Sequence, residues 1–399
     1  MRYQRDITGR VHRAATHFPA VVVTGARQTG KTTLLRAAFP RHTYVSFDLP
    51  SLAESAEQSP ADFLARNRPP ILFDEVQYVP SVFRHLKAAI DADRDASGRF
   101  VLTGSQNFVL MREVSESLAG RVAVFDLEGL SAREIGRDAI ARNVLNDTPS
   151  ALSRGSFPAL WNDIDVPVDE FFHSYVATYL ERDVRQIVNV GSLRDFERFL
   201  RLCAVRSAQL LNRSDLARDV GVTVKTIDTW LSALAASNQI TLLEPYFENV
   251  GKRVVKSPKL FLNDAGLLMF LLGLDARSLV KSPHVGAVWE TAVFGEIRKC
   301  LQRTSAAGRT YFYRDRDGRE VDFVVAAGSH LDLVECKWTE VPAARDTTAL
   351  IHVAEILSHG GTRAVRDRWV ACRTPHVHAL ANGVRAVHGF ALHEHLALE

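Results

Sequence analysis

The sequence predicts a multidomain α/β protein: a doubly wound parallel sheet over the first 130 residues, a helical middle containing a helix-turn-helix, and a second α/β unit at the C-terminus. Three observations predict it. Strand-length apolar runs alternate with helical patterns up to residue 127. Residues 131–274 turn helical, with a glycine-punctuated helix pair inside them. The late segment YFYRDRDGREVDFVVAAGSHLDLVECKW reads as paired strands. Alternation of strand and helix implies parallel βαβ units, because parallel neighbours need a crossover connection.

The first strand, near 20–24, runs into VVVTGARQTGKTT, which fits G-x-x-x-x-G-K-[ST] with Gly25, Gly30, Lys31 and Thr32. An amphipathic LLRAAF follows. A glycine loop between strand and helix wraps a polyphosphate with backbone N–H groups, and the helix N-terminus adds its positive end. The expected nucleotide contacts are therefore Gly25, Ala26, Arg27, Gln28, Thr29, Gly30, Lys31, Thr32 and Thr33, with Lys31 meeting the β/γ-phosphates and Thr32 ligating Mg²⁺. A second strand lies near 43–48. The third, near 70–74, delivers Asp74 and Glu75 at its C-terminal end, where ligands sit in open α/β sheets. Asp74 suits the Mg²⁺ shell, and Glu75 suits the base that orients and deprotonates an attacking water. A fourth strand, near 99–104, ends in Thr103, Ser105 and Gln106, small polar groups within reach of a γ-phosphate or water, with Ser105 the catalytic candidate. A fifth lies near 121–127.

The order of loop, DE-ended strand, TGS-ended strand and LAGRV resembles the AAA-type branch of P-loop ATPases, in which the polar-ended strand separates the acidic strand from the loop strand. The resemblance implies ATP and Mg²⁺ as cofactors and makes Arg121 a candidate arginine finger, acting in cis or from a neighbouring subunit of a homo-oligomer.

Bulk properties bound the remaining options. A net charge of +3 over 399 residues does not by itself argue for nucleic acid. Cys203, Cys300, Cys336 and Cys372 are far apart with no C-x-x-C pair, against both a zinc site and a disulfide framework. No run approaches the roughly 18 apolar residues of a membrane span. A cytoplasmic protein without a membrane partner is expected. AGLLMFLLGL, residues 265–274, is read as a buried helix.

In QLLNRSDLARDVGVTVKTIDTWLSALAASNQITLLEPY, a helix capped by Ser214 and a turn at Gly221 precede a second helix opening at Val224 or Lys225. That is a helix-turn-helix, and ITLLEPY with GKRVVKSPKLFL would make a winged hairpin carrying Lys252, Arg253, Lys256 and Lys259, a basic patch suited to DNA. Farther on, Asp322 on one strand and Glu335 and Lys337 on the next share a strand end; alternation sends Glu335 and Lys337 to one face. Two carboxylates suit a divalent metal, and the lysine suits polarising a water. This resembles the restriction-endonuclease-like, PD-(D/E)xK fold, in which Glu290 of GAVWETAVFGEIRKCL takes the place of the helix-borne acidic residue. The histidines His376, His378, His388, His393 and His395 lack ligand spacing and are read as solvated.

The whole chain resembles the bacterial and archaeal AAA-type ATPases with a winged helix and a nuclease-like end. The expected division is an ATPase domain at 1–130, a helical lid at 131–207, a winged helix-turn-helix at 208–274 and a nuclease-like domain at 275–399. The expected function is Mg²⁺-dependent ATP hydrolysis coupled to nucleic-acid binding or processing. The alternative is an ATP-controlled switch whose C-terminal half recruits partners without cleavage.

Overall fold

The computed structural model describes residues 3–104, 117–178, 193–247, 255–304, 308–360 and 362–396. Five strands, β1 (Ala20–Thr24), β2 (Thr43–Ser46), β3 (Ile71–Asp74), β4 (Phe100–Thr103) and β5 (Val122–Asp126), form an all-parallel sheet in the order β2-β3-β4-β1-β5. The interior strand β1 is buried along its whole length because both faces of the sheet are covered. Val22 joins a core with Phe73, Phe83 and Leu86, while Val21 and Val23 join Val11, Leu34 and Leu35 on the other side. β4 lies between β3 and β1, so the acidic strand end and the loop strand end flank Thr103.

The middle of the chain contains the helices Leu193–Val205, Arg213–Val220 and Val224–Ala236. A small antiparallel sheet of β6 (Gln209–Leu210), β7 (Ile240–Leu243) and β8 (Lys259–Leu262) accompanies them in the order β6-β8-β7. The turn between the last two helices depends on Gly221 at φ +89°, a left-handed conformation that glycine adopts without a Cβ clash. The first of that pair is capped by Asn212, which accepts from Asp215 N–H, rather than by Ser214; the second is capped by Thr223. Trp230 packs edge-on against Phe196 and seals the three helices.

The C-terminal sheet has the order β13-β14-β12-β11-β10-β9, with β9 (Arg309–Arg314), β10 (Glu320–Ala327), β11 (His330–Cys336), β12 (Ala364–Cys372), β13 (His378–Ala379) and β14 (Arg385–His388). The first three form an antiparallel meander; the helix Thr348–Gly360 then crosses over to β12, which runs parallel to β11. The helix Val285–Arg303 covers the other face, with Phe294 stacked on Phe323 at 5.4 Å. One hydrophobic cluster runs from Phe157 through Phe199 and Trp230 to Trp289 and Phe323. AGLLMFLLGL contributes the buried helix Ala265–Leu271.

Candidate nucleotide site and carboxylate cluster

The first site grows from the C-terminal ends of β1, β3 and β4. Gly25 starts the loop at φ +138°, where a Cβ would come within 2.3 Å of the Leu127 carbonyl oxygen; only glycine allows that approach. Gly30 leads into the helix Lys31–Ala38 at φ +91°. Lys31 Nζ folds back to donate to the carbonyls of Gly25 (3.0 Å) and Ala26 (2.9 Å). Burial lowers its pKa from the ordinary lysine value, with Glu75 acting in the opposite direction. Asp74 collects neutral donors: Thr32 Oγ1 at 2.7 Å and Thr103 Oγ1 at 2.5 Å on Oδ1, and the Tyr44 hydroxyl at 2.9 Å on Oδ2. Glu75 follows at φ +54° and accepts from Gln77, while its N–H donates to Thr103 Oγ1 at 3.2 Å. Gln28 in the loop is also left-handed, at φ +61°. Such residues cost about 1–3 kcal/mol each and concentrate where ligands are held.

Arg27, Gln28, Gly30, Lys31, Thr32, Thr33 and Glu75 line a recess of about 340 Å³ that Tyr175 and Thr178 close from the helical segment. Of the remaining loop residues, Ala26 and Thr29 are buried, with Thr29 Oγ1 donating to Ala26 O. Arg5 gave no sequence signal, yet it fixes this loop from beneath. Its guanidinium donates to Thr29 O (2.8 Å), Glu128 O (2.7 Å) and Gly129 O (3.0 Å), and pairs with Glu134 at 3.1 Å. Glu134 is also engaged by the Asp6 and Ser131 N–H groups, so the N-terminus, the loop and the residues after β5 form one buried network.

Arg121 is not brought to this site. It precedes β5 at the N-terminal end of the sheet and pairs through two nitrogens with Asp91, at 2.8 and 3.1 Å. Ser105 and Gln106 lie outside the described residues, as do Lys252 and Arg253.

The second site lies where β10, β11, β8 and the helix Val285–Arg303 meet. Glu290, Asp322, Glu335 and Lys337 are brought together as a group, but the cation at its centre is Lys259. Lys259 Nζ lies 2.9 Å from Glu290 Oε1, 2.5 Å from Glu320 Oε1 and 3.6 Å from Asp322 Oδ1, and the residue is 2% exposed. Asp322 Oδ2 accepts Cys336 N–H at 2.8 Å, and Glu335 Oε1 accepts Lys337 Nζ at 2.8 Å. Burial, followed by the neighbouring Asp322, pushes Glu335 up to about 8. Burial also raises Asp322 and Glu290, while Lys259, despite burial, is held above the ordinary lysine range by Glu290, Asp322 and Glu320. This revises one expectation: Lys259 is not a wing cation facing solvent but the ammonium that Glu290, Glu320 and Asp322 surround. Contiguity hid this, because KRVVKSPK reads as a patch until the register of β8 turns its last lysine inward. Among the described residues no group of three or more His, Cys, Asp or Glu side chains could hold a metal ion.

The helix Val224–Ala236 exposes Val224, Lys225, Asp228, Thr229 and Ser232. Its neighbourhood is charge-paired, with Arg213 on Asp228 at 2.8 Å and Arg218 on Asp215 at 2.9 Å. His388 and His393 are not solvated as expected: His393 is buried, and burial pushes His388 down to about 4. Among the described residues no helix is long and apolar enough to cross a membrane, and all four cysteines are free.

The fold and the first site define a P-loop ATPase of the AAA class, and the AAA domain family matches residues 17–136. Two further family models match, a domain of unknown function (DUF8612) over residues 145–278 and another (DUF4143) over residues 285–388. The chain belongs to the same family as the uncharacterized protein Rv2008c of Mycobacterium tuberculosis (strain ATCC 25618 / H37Rv), to which it is 32% identical over 345 residues, 85% of this chain and 75% of that protein. The uncharacterized protein Mb2031c of Mycobacterium bovis matches with the same identity and coverage. Among solved structures, the Walker-type ATPase paby2304 of Pyrococcus abyssi is similar at 16% identity and a TM-score of 0.48, over 67% of this chain and 95% of that one.

Proposed function

We propose that the chain binds and hydrolyses ATP with Mg²⁺ and acts as a nucleotide-controlled switch, its C-terminal half recruiting a partner without cutting it. The observation that carries the ATPase reading is the convergence of Thr32 and Thr103 hydroxyls on Asp74 beside the Lys31 loop. The donor set fits the ion: a hydroxyl and a carboxylate, 2.7 Å apart, are hard oxygen ligands of the kind Mg²⁺ accepts. When bound, Mg²⁺ would neutralise charge developing on the phosphates. Lys31 would exchange the Gly25 and Ala26 carbonyls for phosphate oxygens; the loop N–H groups from Ala26 to Thr33 would cradle the phosphates; Glu75 would hold the attacking water and take its proton.

The switch reading rests on contacts that leave the loop network toward the C-terminal half. Glu128, whose carbonyl Arg5 holds, pairs through its carboxylate with Arg298, and Arg298 donates to Asn238 Oδ1 at 3.0 Å. Asn238 in turn accepts from Asn263, the residue after β8, at 2.9 Å. Beside this line, Asp264 takes the Ser156 N–H and hydroxyl at 2.7 Å each, and Glu296 takes the Ala132 N–H at 3.0 Å. We read residues 208–274 as a winged helix and 275–399 as a nuclease-like domain, within the four-part division drawn above. The helix-turn-helix geometry supports a second reading, in which DNA is the partner, but the ion pairs on that face weaken a phosphate footprint. Measuring ATP turnover with Mg²⁺, with and without DNA, tests both readings. Turnover that DNA leaves unchanged is the expected result; stimulation by DNA would favour the nucleic-acid reading, and absence of turnover would overturn the ATPase reading.

A further inference from the structure

We propose that Lys259 is the resident cation of the C-terminal carboxylate site, so that the protein closes with its own ammonium a place that takes a divalent ion only when that lysine is removed. This does not depend on the ATPase reading. The argument begins with charge. Glu290, Glu320, Asp322 and Glu335 bring four carboxylates to one strand end, and Lys259, Lys337 and Arg314 bring three cations, with Arg314 Nη1 on Glu320 Oε2 at 3.0 Å. Lys337 and Arg314 each serve one carboxylate from the rim; their side chains are 37% and 39% exposed. Lys259 alone is sunk among three of them.

Geometry then separates an ammonium from a metal. The three oxygens stand 2.5–3.6 Å from Nζ, a range that suits N–H donation and is too long for Mg²⁺ or Mn²⁺, whose oxygens lie at about 2.0–2.2 Å. An ammonium and a divalent ion cannot share that volume. A second observation shows that the cluster has coordination to spare. Glu335 is 8% exposed, and its Oε2 is buried with no hydrogen-bond partner among the described residues, although its other oxygen holds Lys337. A buried carboxylate oxygen without a donor is costly unless something completes it. Removing the lysine leaves three clustered carboxylates whose mutual repulsion is relieved by a proton or by a small hard cation, and the oxygen-only donor set suits Mg²⁺ or Mn²⁺.

Lys259 reaches the cluster from β8, which belongs to the small three-stranded sheet rather than to the sheet bearing Asp322 and Glu335. The two sheets are stitched beside it: Tyr246 N–H donates to Phe312 O at 2.7 Å, Phe312 N–H to Glu244 O at 3.2 Å and Val255 N–H to Arg314 O at 3.0 Å. The cation is therefore supplied by one structural unit to the carboxylates of another. Its second effect is to pin the β8 sheet onto the C-terminal sheet.

The test is Mn²⁺ titration by calorimetry on the nucleotide-free full chain, comparing wild type, Asp322→Asn, Lys259→Met, and Lys259→Met with Asp322→Asn. Methionine keeps the length and apolar stem of the lysine, and circular dichroism checks the fold. Wild type is expected to show no heat that Asp322→Asn alters. Lys259→Met should gain a single Mn²⁺ per chain, and Asp322→Asn in that background should weaken it by about tenfold or more. Lys259→Arg should stay closed. If Lys259→Met does not fold, Lys259→Met with Glu320→Gln restores the charge balance while leaving Glu290, Asp322 and Glu335, and the same gain is expected. Asp322-dependent Mn²⁺ binding by wild type overturns the proposal, as does a folded Lys259→Met or double variant that gains none. Repeating the titration on Lys31→Ala protein keeps the two readings apart: the Mn²⁺ result should not change even where ATP turnover is lost.

Discussion

The two charged sites of this chain are built on the same plan and finished differently. Each places a carboxylate at a strand end beside an acidic neighbour, Asp74 with Glu75 and Asp322 with Glu335. Asp74 is satisfied by three neutral hydroxyls, from Thr32, Thr103 and Tyr44. Asp322 is satisfied by the Cys336 N–H and faces the Lys259 ammonium. Neutral donors leave the negative charge of Asp74 available to a metal; a fixed ammonium cancels it at Asp322. Residue types alone do not distinguish a site poised for a cation from one that carries its own.

The comparison breaks most sharply at the loop. Lys31→Ala should abolish ATP binding, measured with a fluorescent nucleotide. Glu75→Gln should retain binding and lose turnover by about 10²–10⁴-fold, the usual contribution of a positioned base. Near-normal turnover in Glu75→Gln would remove the base from Glu75 and with it the contrast between the two acidic pairs.

The next largest effect is on stability. Arg5 and Glu134 are both buried, with side chains 4% and 5% exposed, and Arg5→Ala would strand a carboxylate and three carbonyls. Breaking such a pair costs about 3–5 kcal/mol, read as a lower urea midpoint for the ATPase half. A shift of only a few tenths would mean that water replaces the guanidinium and that the loop does not depend on it.

A third measurement sharpens the contrast through pH. Glu335 is pushed from 4.5 up to about 8, by burial first and Asp322 second. The folded chain then holds a proton at Glu335 that the unfolded chain has released, so this contribution to stability is complete below about pH 4.5 and is lost as pH rises through about 8. Glu335→Gln should flatten the slope of unfolding free energy between those limits. An unchanged slope would mean that Lys337 keeps the carboxylate ionised throughout.

What the sequence disclosed follows from how local each signal is. The loop, the acidic strand end and the polar strand end are contiguous segments whose geometry is set by neighbours in the chain, and the observed order β3-β4-β1 matches the arrangement implied by the resemblance. The Asp322, Glu335, Lys337 and Glu290 set was legible from strand alternation and one helix. Lys259 was misplaced because a lysine in a basic run carries no mark of the side to which its strand turns. Arg5 was invisible because its partners lie 24 to 129 residues away and three of the four bonds use backbone carbonyls, which every residue offers.

The smallest effect is expected at Arg121. β5 runs parallel to β1 with Ala20 opposite Val122 and Thr24 opposite Asp126, so the loop grows from the end of the sheet remote from Arg121. At about 3.3 Å per residue the strand separates Arg121 from that end by roughly 16 Å, beyond the reach of an arginine side chain within the same chain. Its guanidinium is instead held by Asp91 at the end of the helix Val82–Asp91, tying that helix to the sheet edge. Arg121→Ala should therefore keep ATP turnover near the wild-type rate, measured at saturating ATP and Mg²⁺. A drop of about 10³-fold, the size of an arginine finger, would mean that a neighbouring copy presents Arg121 to the loop. In that case, mixing Arg121→Ala with Lys31→Ala protein should restore activity, because one loop and one finger would each remain intact across the interface. Recovery on mixing would make the nucleotide site a shared one, whereas unchanged turnover in the single variant leaves Arg121 a surface tie and the loop site complete within one chain.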